Sequence, residues 1–202
     1  VSEALRQWNA GSVYTVARVS CFRDNTVPRT HPELALRSAI GNWRDDGYRW
    51  FSPAYPEVRS YVTGVCLELA GLGFDEILLD WACYPVSGDL STILTGEAYD
   101  PAALSQTLTE FYTQLRADLE AAYPGVKLSA VLPADLEQES AGGQTPALAE
   151  LLDRVWVWTD AQARPALATL LSQHGLEDPD SQLVLLGAAG QGDQSWALWP
   201  AG

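Results

Sequence analysis

Two acidic residues stand directly behind apolar runs that read as strands. Asp80 closes Glu76–Asp80 (EILLD), and Asp160 follows Arg154–Thr159 (RVWVWT). A carboxylate at the end of a buried strand is held by the backbone. Two of them on one sheet can divide proton-transfer work, one as base or nucleophile and the other as an acid with a raised pKa. Aromatic residues accompany both: Trp81 and Tyr84 follow Asp80, and Trp158 lies just before Asp160. Such rings offer apolar faces with a polar edge kept wet. Each residue also has a plainer reading. Asp80 can accept N–H bonds from its own loop, Asp160 precedes Ala161–Leu171 and suits a helix N-cap, and the aromatics suit ordinary core. Arg18 interrupts an otherwise apolar strand, and a buried Arg demands a carboxylate partner. Asp80 on the neighbouring strand is the candidate. The pair either holds Asp80 ionised or is purely structural. Asp135 and Glu137, after the next strand, are the fallback acids. Asp75 and Glu76 begin their strand and so belong to the stability face.

Other chemistries are poorly served. Neither His31 nor His174 follows a strand, and there is no GxSxG or P-loop. Cys21, Cys66 and Cys83 are widely spaced with no CxxC, which argues against a zinc or redox site. No metal or other cofactor is expected.

The elements that must position these residues alternate. Strands are expected at Val13–Phe22, Glu76–Asp80, Val126–Leu132, Arg154–Thr159 and Gln182–Leu186, as parallel neighbours in that order, with a further one beginning near Trp196–Trp199. Helices are expected at Val1–Asn9, at Glu57–Ala70, from Pro101 through Leu119 behind an Asp100 cap, at Pro146–Asp153, and from Pro165 to Gly175. This is an α/β fold. A doubly wound sheet wants a Gly-rich turn after its first strand, and Phe22-Arg23-Asp24-Asn25 is not one. Acidic and aromatic residues just behind strands match the chemistry-bearing face of a (β/α)8 barrel. A full barrel takes about 250 residues, so a single domain spanning 1–202 is short by roughly two βα units. Its sheet should then be open, with the Val13–Phe22 strand as an edge that invites pairing or dimerisation. Arg23–Pro56 reads as a long structureless loop of functional type. Trp43 and Trp50 within it are hard to assign to a core and join the ligand-stacking candidates.

Charge narrows the partners. Twelve Lys and Arg against 26 Asp and Glu give −14, with a pI near 4.3. That disfavours nucleic acid and anionic membrane surfaces. No run approaches the roughly 20 apolar residues of a membrane helix, and no leader is visible. The absence of methionine, initiator included, reads as a fragment or a processed form.

At Gly73–Pro85, GFDEILLDWACYP resembles a signature of the glycosyl hydrolase domain family first described as a domain of unknown function, whose members read Gly-Phe-Asp-Glu-Ile-x-x-Asp-Tyr-x-Arg-Phe-Pro there. VYTVARVSCFRD (Val13–Asp24) is similar to that family's third strand. HPELALR (His31–Arg37), GNWRD (Gly41–Asp45) and Trp50–Pro53 follow in the right order. The resemblance implies a bacterial TIM-like barrel distantly related to α-galactosidase-type enzymes, with the first two strands absent from this chain. It implies a retaining glycoside hydrolase acting on a poly- or oligosaccharide, in the envelope or outside the cell. Asp80 would be the nucleophile and Asp160 the acid/base, with Trp43, Trp50, Trp81, Tyr84, Trp158 and Arg18 on the substrate. The chain departs from the family pattern at Cys83, Ser52 and Val131, each replacing a polar group near the expected pocket. Those departures favour the alternative, a catalytically degenerate carbohydrate- or envelope-binding barrel.

Overall fold

The computed structural model describes residues 2–136, 142–187 and 194–198. Glu137 and Trp199 lie outside the described residues. Helix α1 (Ser2–Ala10) leads into β1 (Val16–Ser20). The segment that follows is built from short pieces: β2 (Arg23–Asp24), α2 (Val27–Thr30), β3 (Arg37–Ser38), β4 (Gly41–Asn42), β5 (Arg44–Asp45) and β6 (Tyr48–Trp50). Then come α3 (Pro56–Gly71), β7 (Glu76–Asp80), α4 (Leu104–Ala122), β8 (Lys127–Leu132), a 3-10 turn at Pro146–Leu151, β9 (Arg154–Trp158), α5 (Arg164–Ser172), α6 (Pro179–Gln182), β10 (Leu183–Leu186) and β11 (Trp196–Ala197).

Six strands form one curled parallel sheet in the order β1-β7-β8-β9-β10-β11. Every neighbouring pair is parallel. The five strands expected from the sequence are all present, with β1 at an outer edge. The arrangement is an incomplete (β/α)8-type barrel. Strands buried on both faces must be apolar nearly throughout, which is why Ile77, Leu78 and Leu79 and the run Leu183–Leu186 read so clearly. Side chains alternate between the two faces. Ala17, Val19, Ile77, Leu79, Leu128, Ala130, Val155 and Val157 join the main core with α3, α4 and α5. Leu78, Trp156, Val184 and Leu186, with Val16, Val131 and Ala197 against them, form a separate small cluster on the concave, barrel-interior face.

Three expectations are corrected. Arg23–Pro56 is not structureless: β2, β6 and β5 form a three-stranded sheet and β3–β4 a hairpin. Long-range backbone bonds hold it, Leu36 N–H to Trp50 O at 2.9 Å and Phe51 N–H to Phe22 O at 2.8 Å. Pro146–Asp153 is a 3-10 turn, because six residues ending at Leu151 make barely two turns of that tighter helix. Asp100 caps the turn ahead of α4, its Oδ1 accepting the Ala102 N–H at 3.0 Å, and the helix itself begins at Leu104. Among the described residues, no helix is long and apolar enough to cross a membrane.

Candidate active site at the strand ends

Asp80 is the last residue of β7 and points to the concave face, 6% exposed. Arg18, on β1, donates to Asp80 Oδ2 through Nε at 2.7 Å and also through Nη2. The Trp81 N–H donates to Oδ1 at 3.0 Å. Both oxygens are thus engaged as acceptors, and the expected Arg18–Asp80 pair is present. Arg18 is about half exposed at its side chain, 47%, on β1, an edge strand of the sheet. The backbone turns sharply here. Trp81 has φ +52°, a left-handed conformation that costs a bulky residue of order 1–3 kcal/mol and recurs at ligand sites. The Asp80 and Trp81 carbonyls still accept N–H bonds from Cys21 and Phe22, at 2.8 and 3.2 Å. The ladder therefore runs past the strand end and fixes Asp80 in place.

Beside this pair lies a pocket of about 350 Å³ lined by Arg18, Ser20, Arg23, Tyr48 and Trp81. Arg23 is stacked between the Tyr48 ring (4.0 Å to its centroid) and the Trp81 ring (4.3 Å). Its Nη2 lies 3.7 Å from the exposed carboxylate of Asp46. Its Nε is buried with no hydrogen-bond partner among the described residues. Sequence reasoning missed Arg23 and Tyr48 as site residues. Arg23-Asp24 directly behind β1 was the available signal, since charged residues there belong to the barrel mouth.

The remaining candidates scatter. Asp160 is exposed two residues beyond β9, and its Oδ1 accepts the Gln162 and Ala163 N–H bonds at 2.9 and 3.0 Å, the capping arrangement. No hydrogen bond reaches its Oδ2 among the described residues. Strand β8 separates its strand from Asp80's, about 10 Å at the backbone. Trp158, 50% exposed, stands over Gly187 at the strand ends, where a Cβ would lie 3.3 Å from its ring. Trp156 and Trp158 both face the barrel interior. Trp43, Trp50 and Tyr84 are buried core residues, contrary to the expectation for Trp43 and Trp50. The reason is packing across the insertion: Trp50 meets Trp81 edge-on at 5.8 Å, and the Trp43 indole N–H bonds to Asp89 O and Thr92 Oγ1 at 3.2 and 3.1 Å.

The three departures also separate. Ser52 is buried and donates to Ala98 O at 2.5 Å while accepting the Ala54 N–H, a loop-locking role. Cys83 is in the main core, where burial pushes its thiol up to about 12 with the Asp80 charge adding to the shift. Only Val131 faces the barrel interior. At the opposite end of β7, Glu76 is fully buried. It accepts hydrogen bonds from Tyr14 Oη (2.7 Å), Arg154 Nη1 (3.0 Å) and Trp156 Nε1 (3.2 Å). Burial, and then the bond to Glu76, push the Tyr14 phenol well above its usual range. Asp75 Oδ2 accepts both the Thr15 N–H and its hydroxyl at 2.7 Å. These are structural roles at the floor of the barrel.

Residues 1–155 match the sequence family described as "Putative glycosyl hydrolase domain". Among solved structures, a hypothetical protein from Ruminiclostridium thermocellum is 27% identical with a TM-score of 0.54, over 64% of this chain and 64% of that one. A GH36 alpha-galactosidase from Geobacillus stearothermophilus, in complex with stachyose, is 13% identical with a TM-score of 0.62, over 95% of this chain and 26% of that one. A chitinase from Bacillus thuringiensis is 17% identical with a TM-score of 0.53, over 91% and 30%. The last two likenesses are of fold alone. The chain thus spans 64% of the first of these proteins and about a quarter of the galactosidase. No curated protein matches it.

Proposed function

The chain belongs to this glycosyl hydrolase domain family, and from that premise we propose that it cleaves a glycosidic bond in a poly- or oligosaccharide through two carboxylates. The observation that carries the proposal is Asp80 at the C-terminal end of a parallel barrel strand, beside a pocket walled by aromatic rings and guanidinium groups. A carboxylate accepting three hydrogen bonds is committed as an acceptor, which suits the nucleophile or base rather than the acid. Arg18 aligns it. The Arg23 guanidinium on the pocket wall is a donor for sugar hydroxyls, the Ser20 hydroxyl, whose proton goes to Arg23 O at 2.7 Å, is an acceptor for them, and Trp81 and Trp158 offer ring surface for the apolar faces of sugars. Asp160 is the proposed proton donor, with Oδ2 free to carry the proton to the leaving oxygen. A retaining mechanism requires the two carboxyl groups about 5–5.5 Å apart and an inverting one about 6.5–9.5 Å.

The test is a panel of aryl glycosides and natural oligosaccharides. Asp80→Asn should abolish turnover of whichever substrate responds, with the melting temperature nearly unchanged. Asp160→Ala should cripple hydrolysis of natural linkages but largely spare aryl glycosides whose leaving group needs no proton. Turnover that survives Asp80→Asn would sink the assignment. The binding-module alternative keeps one specific support, the apolar Val131 on the concave face. Ser52 and Cys83 no longer speak for it, because both are packed in the core.

A further inference from the structure

A second cavity lies outside the chemistry described so far. A groove of about 980 Å³ runs between the β3–β4 hairpin and the turn at Leu90–Thr92. Arg29, Arg44 and Arg49 line it, together with one acid, Asp89. Its floor is apolar, with Trp43 and Ile93 buried beneath, and Ile40 on its rim is 98% exposed. Trp43 ties the two walls together through its indole bonds to Asp89 O and Thr92 Oγ1, so the groove is pre-formed.

The arginines are the anomaly. Acidic residues outnumber basic ones 26 to 12 in this chain, so carboxylate partners are plentiful. Arg18, Arg116 and Arg154 each take one. Arg29, Arg44 and Arg49 take none among the described residues; Arg49 donates only to the Asn25 side-chain oxygen, at 3.2 Å. Asp89 is engaged with the Ser91 hydroxyl at 2.6 Å. Moreover, Arg44 and Arg49 are direct cross-strand partners on the β5–β6 hairpin. Cross-strand partners share a face, and like charges placed so are destabilising. Arg49 also lies opposite Asp24 on β2, but that carboxylate accepts the Thr26 and Val27 N–H bonds, and neither arginine forms an ion pair among the described residues. The fold therefore holds two guanidinium groups side by side at the mouth of a cleft of ligand-binding size. An anion relieves that repulsion, and guanidinium is the group best shaped to grip a carboxylate in two-pronged fashion. The three arginines come from α2, β5 and β6 and are ranged around the groove, which suits single charges spaced along a chain better than one compact phosphate.

We propose that this groove binds a carboxylate-bearing stretch of glycan, a run of uronic acid residues. The sugar part of that ligand rests on the glycoside hydrolase reading; the carboxylates are argued from the arginines. The experiment is calorimetric titration at low salt with an α-1,4-linked galacturonic acid trimer, the neutral galactose trimer of the same linkage, and inorganic phosphate. The proteins are the wild-type chain, Arg44→Gln, Arg29→Gln/Arg44→Gln and Asp80→Asn. The acidic trimer should bind, and should lose at least about tenfold in affinity in Arg44→Gln, the scale of one charge-assisted pair, and more in the double variant. Binding should weaken as salt rises. Arg44→Gln should keep or raise the melting temperature, since it removes a like-charge contact; a merely structural arginine would lower it. Asp80→Asn should bind the acidic trimer as wild type does, so loss of turnover and loss of groove binding report separately. Equal binding of the acidic and neutral trimers, no binding of the acidic trimer, phosphate competing at equal affinity, or an Arg44→Gln protein that binds the acidic trimer unchanged would each overturn the proposal.

Discussion

Strand β7 carries a carboxylate at each end, and the two are held differently. Asp80 meets an arginine that is half exposed, whereas Glu76 has no exposed surface and shares its charge among Tyr14, Arg154 and Trp156. Removing one partner of a buried ion pair strands the other charge away from water. Arg154→Met should therefore cost about 3–5 kcal/mol in urea unfolding. Tyr14→Phe, which deletes one neutral donor from the same carboxylate, should cost about 1 kcal/mol. A loss under about 1 kcal/mol for Arg154→Met would overturn the buried pair as a source of stability.

At the scale of elements, helix α3 contains a correctable weakness. Gly64 sits in its middle, exposed, and a Cβ built there meets nothing within 4 Å. Gly64→Ala should stabilise the chain by about 0.5–1 kcal/mol by restricting the unfolded backbone. Gly142 is the opposite case. Its φ is +60°, a Cβ would fall 2.3 Å from the Tyr84 carbonyl oxygen, and its own carbonyl accepts the Tyr84 N–H at 2.8 Å. Gly142→Ala should cost more than about 1 kcal/mol, and a pair of thermal melts distinguishes the two outcomes. The long strands and helices were legible in the sequence because their signal is local: an apolar run for β7, a periodic stripe ending at Leu119 for α4. The insertion between β1 and α3 was not. Its strands are two or three residues long and exist only because distant backbone groups complete them, as Leu94 N–H does for Arg37 O. The same remoteness hid the burial of Trp50, whose packing partner Trp81 lies on the far side of α3. Asp80 and its Arg18 partner were readable because an arginine inside an apolar strand demands a carboxylate, and Asp80 ends the neighbouring one. The Arg23 sandwich was not, since it needs both loops to be folded first.

For the whole molecule, burial of neutral acids predicts an alkaline weakness. Burial pushes the Cys66 and Cys83 thiols up to about 12, and those of Cys21 and the Tyr112 phenol well above their ordinary values. In the unfolded chain a cysteine titrates near pH 8.5. Between that pH and the folded value, the folded state binds more protons than the unfolded one, so stability falls as pH rises. These groups contribute their full stabilisation below about pH 8 and lose it progressively above. Urea midpoints should be flat with respect to these groups near neutrality and decline from about pH 9 upward. A Cys66→Ala/Cys83→Ala variant should show a shallower decline than the parent. An identical slope in both would place the alkaline transition elsewhere.

The crossed indoles of Trp50 and Trp81, 5.8 Å apart with their planes at 89°, give the molecule an optical signature. Two ring transitions held rigidly in one handed arrangement contribute to the near-ultraviolet circular dichroism, a band that survives only while tertiary packing is fixed. Trp50 is sealed in the core, while Trp81 also forms one wall of the pocket beside Asp80. Any solute that enters that pocket and disturbs the Trp81 ring must alter the band, without a label and without turnover. Subtracting the spectrum of Trp81→Phe should isolate it from the other tryptophans. A glycan that leaves this difference signal untouched is not occupying the pocket at Asp80.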